Sequence, residues 1–360
     1  MGLSAGAWWK MMARHRFHLP ASAWPAALFD LACGLGNSTL GVGQSLLWNH
    51  RLRQGWPTQD PIFVVGHWRT GTTLLHELLT LDPALRSPTT YECLAPHHFL
   101  LTGRWLPRLT RFTLPQTRAF DGVRVGWDAP QEDEFALCNL GLPSPYAAIA
   151  FPHDAARDDA ALDLEQLSPR ERRQWRLGFE RLVRQWTCFR PGRLLLKSPT
   201  HTFRVPLLAE MFPQARWILL VRNPWQVFPS TLKLWRTLYA TYAYQAPPFP
   251  DLEPRVIDLF ARMHQRWTTT SRQLAPGLVT TVRYEDLVQN PTATIQQVYQ
   301  QLNLGHTDSL LPAVERYFAD RADYRPNRHQ LDAAWIETIQ QRWRDYFAAY
   351  GYPLQPPSTQ

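Results

Sequence analysis

Pro61-Ile62-Phe63-Val64-Val65-Gly66-His67-Trp68-Arg69-Thr70-Gly71-Thr72-Thr73-Leu74-Leu75 is the stretch on which the fold of this chain turns. Ile62–Val65 is a short unbroken apolar run, the pattern of a strand buried on both faces. A helix follows from Thr72 to about Leu81 and stops at Asp82-Pro83. Between them Gly66 and Gly71 flank a short loop with the spacing of a phosphate-binding P-loop. Strand, glycine-flanked loop and helix together aim backbone N–H groups and the positive end of a helix at an anion. A loop that grips ATP carries lysine directly after its second glycine, and here Thr72 holds that place. The anion is therefore expected to be met by Arg69, by Thr70, Gly71, Thr72 and Thr73, and by backbone N–H groups.

Three further runs read as buried parallel strands: Leu194–Leu196, Trp217–Val221 and Leu278–Val282. Helices separate them. One opens at Ser168-Pro169 with Glu171 completing a capping box, then sets Trp175, Phe179, Leu182, Val183 and Trp186 on one face and ends at Pro191-Gly192. Others are expected after Pro224, over about Pro254–Leu274, after Asn290-Pro291, and from Asp332 to about Tyr350, closed by Gly351. Strands alternating with helices predict an α/β fold, a parallel sheet flanked by helices with right-handed crossovers. Residues 84–160 are rich in proline, aromatics and histidine, with weak periodicity. They are expected to form a long aromatic-rich insertion after the first βα unit, over the sheet edge, where a substrate site can sit. Residues 1–55 are expected as a helical extension and 56–360 as a single domain.

A second cluster is Arg216-Trp-Ile-Leu-Leu-Val-Arg222-Asn-Pro-Trp-Gln-Val-Phe-Pro-Ser230. Arg222 ends a strand and Ser230 falls near the start of the next helix, so both can reach one phosphate at the carboxyl edge of the sheet. No carboxylate follows the strand, since Arg222-Asn223 stand where a magnesium site would place an aspartate. A metal-free, cationic phosphate site is the expectation. His97 and His98 have no cysteine or acidic partner nearby to make a metal site.

Together the two clusters resemble the PAPS-dependent sulfotransferase superfamily. Gly66–Thr73 is similar to its 5′-phosphosulfate loop, and Arg222 through Ser230 to its 3′-phosphate motif. Val282-Arg-Tyr284-Glu-Asp-Leu-Val-Gln-Asn-Pro291 resembles the family's RYEDL…P segment. Arginine in the first loop is closer to the bacterial and tyrosylprotein-type branch than to the lysine-bearing cytosolic branch. Trp68, Thr70 and Asn223 depart from the common proline, serine and aspartate without removing a phosphate donor. The resemblance implies transfer of a sulfuryl group from PAPS, leaving PAP, to a hydroxyl or amine acceptor without a metal. It places Tyr284 near the adenine and offers Arg328 as a late phosphate contact.

Sulfuryl transfer resembles phosphoryl transfer: in-line and loose, with charge growing on the leaving phosphate oxygen. Arg69 and Lys197, at the end of the Leu194–Leu196 strand, are the candidates to neutralise it. Three general bases are open. Glu92 follows the first helix at an offset similar to that of the branch's catalytic glutamate. His201 lies four residues past Lys197, and histidine is the side chain most often used as a general base. Asp133, in the cluster Gln131-Glu132-Asp133-Glu134, is the third.

The chain has 360 residues, 45% of them hydrophobic, enough for a large core. Its net charge of +8 suits a polyanionic ligand or an anionic surface. No nucleic-acid-binding module is recognisable. Cys33, Cys93, Cys138 and Cys188 form no C-x-x-C pair, so a reducing cytoplasm is the expected compartment. Residues 20–48 are apolar but interrupted by Asp30, Asn37 and Gln44, so they are not expected to span a membrane. Residues 8–18 mix aromatics with Lys10, Arg14 and Arg16, which suits either peripheral membrane contact or a short packed helix, the second being preferred. The aromatic insertion suggests a lipid or glycan acceptor. Two rival readings remain: a P-loop kinase or NTPase, and a non-catalytic, membrane-associated PAP-binding protein.

Overall fold

The computed structural model describes residues 2–114, 117, 126–249, 251–321 and 332–357. It is an α/β protein whose five strands form one sheet flanked by helices, in the order β2-β3-β1-β4-β5. These are β1 (Ile62–Gly66), β2 (Leu85–Arg86), β3 (Arg193–Lys197), β4 (Arg216–Val221) and β5 (Val279–Arg283). β1 and β4 run parallel with Ile62 beside Arg216 and Gly66 beside Leu220. β4 and β5 run parallel with Trp217 beside Val279 and Val221 beside Arg283. β1 is buried along its whole length, as its all-apolar sequence demands. β5 departs from the expectation of a strand buried on both faces: it is an edge strand, and Thr281 is exposed. The two-residue β2 is too short to leave a periodic signal.

The chain groups into two compact units, one of Met1–Gln59, Arg86–Leu196 and Thr237–Phe249, the other of Asp60–Leu85, Lys197–Arg236 and Pro250–Gln360. In the first, α1 (Ala5–Arg14) packs on the long α2 (Trp24–Gln54). The backbone N–H of Ala5 donates to Ser38 Oγ (3.0 Å), and Asn37 Nδ2 donates to the Leu3 carbonyl (2.9 Å). Trp8 and Met12 of α1 are buried with Ala27, Phe151 and Tyr244. Among the described residues of the 84–160 segment are short helical turns, including α4 (Thr90–Leu94) and the helix Glu134–Asn139. The helix Pro169–Phe189 starts with the expected capping box between Ser168 and Glu171 and buries Trp175, Phe179, Leu182, Val183 and Trp186.

The second unit holds β1, β4, β5 and their helices. α3 (Thr72–Leu79) follows β1, and Pro224–Tyr242 follows β4. The single helix expected from Asp332 to Tyr350 is broken at Trp343 into Ile336–Arg342 and Arg344–Tyr350, with Gly351 closing the second piece at φ 66°. Trp343 is buried, stacks 3.9 Å from Phe260, and its indole N–H donates to the Ile257 carbonyl (2.9 Å). Anchoring the ring in the core takes precedence over helix continuity.

Candidate active site

β1 delivers the chain to Gly66, whose φ of +143° suits glycine alone. A Cβ there would meet the Leu220 carbonyl oxygen at 2.5 Å. The Thr202 hydroxyl clamps this turn, accepting from Gly66 N–H (2.9 Å) and donating to its carbonyl (3.2 Å). The Thr70 hydroxyl donates to the His67 carbonyl (2.7 Å) and folds the loop back on itself. Gly71 then caps α3 at φ +98°. Here the backbone passes so close to Tyr284 that a Cβ would lie 2.3 Å from ring atom Cδ2.

Arg69, between the glycines, adopts φ +69°, a left-handed conformation costing a non-glycine residue about 1 kcal/mol or more. That strained backbone aims the side chain across the loop, where Nε donates to Ser230 Oγ at 2.9 Å. Ser230 is buried in the second turn of Pro224–Tyr242. The two anion motifs, separated by some 160 positions in sequence, thus touch directly.

Arg222, at the tip of β4, closes the arrangement. Its Nη1 donates to the Arg69 carbonyl (3.2 Å), and Nε and Nη2 donate to Gln226 Oε1 (3.2 and 2.9 Å). Its guanidinium lies 4.0 Å from the centre of the Tyr284 ring, a cation–π stack. Asn223 is the N-terminal stop of the next helix: its Oδ1 accepts from Trp225 N–H (3.0 Å). Its own N–H donates to Glu285 Oε1 (3.0 Å), which ties β4 to the Tyr284–Gln289 helix.

Lys197 is buried at the end of β3. His201 is buried in the 3-10 turn Pro199–Phe203 that follows, its ring edge-on to Phe63 of β1 at 5.4 Å. Glu92 belongs to the first unit. It is 1% exposed and sits at the third position of α4, where one carboxylate oxygen accepts from Thr89 N–H (3.3 Å). The other accepts from Arg86 Nη2 (2.7 Å), with Arg190 Nη2 at 3.9 Å. Burial pulls the Arg86 guanidinium below its ordinary pKa, and Glu92 opposes that pull.

Asp133 is buried at the start of Glu134–Asn139. Its neighbours are engaged: the Ser144 hydroxyl donates to Glu134 (2.6 Å) and the Tyr146 hydroxyl to Glu132. His98 bonds the Thr102 hydroxyl (2.8 Å) and Asn37 Oδ1 (3.1 Å), and His97 Nε2 bonds the Asn139 carbonyl (3.0 Å). Arg328 lies outside the described residues. Sequence reasoning missed Thr202, Gln226 and Tyr346, whose hydroxyl accepts from the Arg222 N–H at 3.1 Å. Only Gln226 carried a signal, being one helical turn after Arg222.

The description of the sulfotransferase family matches residues 61–308, which span β1, the glycine loop, Arg222, Ser230 and Tyr284. The chain belongs to the sulfotransferase family. It is an enzyme of sulfuryl transfer. This sulfotransferase is 39% identical over 357 residues to the omega-hydroxy-beta-dihydromenaquinone-9 sulfotransferase Stf3 of Mycobacterium bovis, covering 99% of this chain and 92% of that one. The Stf3 of Mycobacterium tuberculosis matches equally. Among solved structures, sulfotransferase STF9 of Mycobacterium avium superposes with a TM-score of 0.68 at 18% identity, covering 97% of each chain. STF1 of Mycobacterium tuberculosis gives 0.64 at 18% identity, covering 91% of this chain and 87% of that one. Both share the fold.

His67, inside the loop of this sulfotransferase, makes its stability pH-dependent. The ring is buried against Phe260, and its Nδ1–H donates to the Trp68 carbonyl (2.9 Å), which fixes the neutral tautomer. Burial pushes the folded-state pKa down to about 4 from 6.5. Because the folded value is depressed, His67 contributes full stability above pH 6.5 and loses it as pH falls towards 4. That loss amounts to about 3 kcal/mol over the whole window. Melting curves between pH 7.5 and 4.5 should show a steep acid limb that His67→Phe flattens. An unchanged slope in the variant would rule the histidine out as its source.

Proposed function

We propose that this sulfotransferase transfers a sulfuryl group from PAPS to a hydroxyl of a lipid-like acceptor, without a metal. The observation that carries the donor assignment is the Arg69 Nε–Ser230 Oγ contact of 2.9 Å, which brings the two candidate anion motifs together. The residues fit a bisphosphorylated adenosine. Gly71 packs so closely on Tyr284 that a Cβ would overlap the ring, which holds that aromatic against the loop, and Arg222 is turned onto the same ring. PAPS supplies an activated sulfuryl group on a phosphate that departs as the bond breaks.

The roles of the chain's own groups follow from charge and position. The N–H groups at the start of α3 and the Arg69 guanidinium bind the 5′ end. Ser230 and Arg222 bind the 3′-phosphate. Lys197 neutralises the leaving oxygen. Glu92 is the favoured base for the acceptor's proton. His201 is the second choice, although its packing against Phe63 also explains its burial, and Asp133 the third. The 39% identity to Stf3 along nearly the whole chain favours an acceptor hydroxyl on a menaquinone-like lipid over an amine.

Thermal unfolding tests the donor. PAP at 100 times its Kd, without magnesium, should stabilise the protein by about 2.7 kcal/mol. ATP with magnesium should not. The reverse pattern would favour a kinase and sink the proposal. PAP binding without turnover on any hydroxylated lipid would favour the non-catalytic alternative. In single-turnover transfer at saturating PAPS, Glu92→Gln should stall. A retained rate would pass the role to His201 or Asp133.

A further inference from the structure

α2 is built inside out. A surface helix of a water-soluble protein turns its apolar stripe inward and its polar face to solvent. Here Asp30, Asn37, Ser38 and Gln44 point into the protein and are used there. Asp30 accepts from the Tyr244 hydroxyl (2.5 Å), Asn37 donates to the Leu3 carbonyl (2.9 Å), Ser38 accepts from Ala5 N–H (3.0 Å), and Gln44 accepts from Leu100 N–H (2.8 Å). The outward face carries Leu28, Phe29, Leu35, Val42, Leu46 and Leu47, each more than half exposed and Leu46 81% exposed. Leu28, Leu35 and Val42 repeat at seven-residue intervals, so they lie on one line along the helix. From Leu28 to Leu47 the apolar face runs for about 30 Å.

Charge indicates what covers it. Between Trp24 and Asn49 the only Asp, Glu, Lys, Arg or His is the inward-turned Asp30. Lys10 and Arg16 flank one end, because α1 packs antiparallel to the first half of α2: Ala5 meets Ser38, while Met12 meets Ala27. Arg51 and Arg53 flank the other end, with Arg51 stacked over Trp48 at 5.3 Å. Residues 1–54 hold five lysines and arginines against a single acid. An apolar stripe bounded by cations and aromatics matches the surface layer of an anionic bilayer. A second copy of the chain would bring the same cations and be repelled. Among the described residues, no helix is long and apolar enough to cross a membrane, so α2 fits lying in the surface plane.

We propose that α2 is an interfacial docking helix that seats this protein on anionic phospholipid. The inference rests on the helix's orientation and charge, and it stands whether or not PAPS is the donor. The test is flotation of the full-length protein, without nucleotide, on vesicles of phosphatidylcholine alone or with three-tenths phosphatidylglycerol. The anionic vesicles should carry the protein, and added salt should weaken the association. L35E/V42E/L46E should lower partitioning by at least about tenfold while leaving the circular dichroism spectrum native. The milder L46Q/L47Q should give a smaller loss in the same direction, which guards against misfolding of the triple variant. Failure of the wild type to float on anionic vesicles, or equal flotation of well-folded variants, would overturn the proposal. So would a dimer in solution that these variants split, since a second copy would then own the face.

Discussion

Arg69→Ala is expected to lower kcat/KM by about a thousandfold, the scale on which a preorganised cation or oxyanion donor contributes to group transfer. The side chain meets Ser230, and its carbonyl receives Arg222, so Arg69 is the point at which both phosphate motifs join. On the proposed role, its removal takes away a charge where negative charge grows on the leaving oxygen. It also takes away the orientation of the Ser230 hydroxyl. Lys197→Ala should separate these two effects. Turnover should collapse in that variant too, but PAP affinity should change by less than about threefold, whereas Arg69→Ala should weaken PAP as well. Steady-state kinetics with isothermal titration of PAP reads both. Arg69→Ala at wild-type kcat/KM would remove the loop from the chemistry, and unchanged turnover in Lys197→Ala would remove the lysine.

Gly71→Ala should abolish productive nucleotide binding, with PAP affinity falling by about a hundredfold. Two costs coincide. The φ of +98° is strained for any residue with a Cβ. The new methyl would also sit 2.3 and 2.7 Å from Cδ2 and Cε2 of Tyr284. The ring does not yield cheaply, because Arg222 is stacked on it at 4.0 Å. Relief of the overlap must therefore displace either the start of α3 or the guanidinium beside the ring. Thermal stability should fall as well, by about 1–3 kcal/mol. A cycle with Tyr284→Ala identifies the cause. If the clash dominates, the two changes are strongly non-additive in stability. Gly71→Ala with native PAP affinity would show that the approach to Tyr284 does not shape the pocket.

What the sequence made legible was the part encoded locally. The runs at 62–65, 194–196 and 217–221 are strands because uninterrupted branched and aromatic residues have few other buried homes. The glycine loop and the Ser168 cap are short-range geometry, readable from spacing alone. The contacts around Arg222 were not readable. Gln226 and Tyr346 are ordinary residues in a helix and near the chain's end, and only the tertiary fold assigns them to the same guanidinium. The break at Trp343 escaped notice for a similar reason: helical propensity ran on, but the indole had a place in the core against Phe260. β5 differs because Leu278 and Val282 dominate the run Leu278–Val282, while an edge strand leaves Thr281 to solvent. With α2, the apolar content was visible but its direction was not. Periodicity marks faces and does not say which one turns inward.

The guanidinium of Arg222 is already held by Gln226 and by the Arg69 carbonyl. A long flexible arginine ordinarily surrenders rotamer freedom when a ligand arrives, at a cost of up to about 2 kcal/mol. Here that entropy is lost once, when the chain folds, and not again at each catalytic cycle. The pocket should therefore meet its nucleotide as a rigid receptor, with little rearrangement on loading and equally little on release.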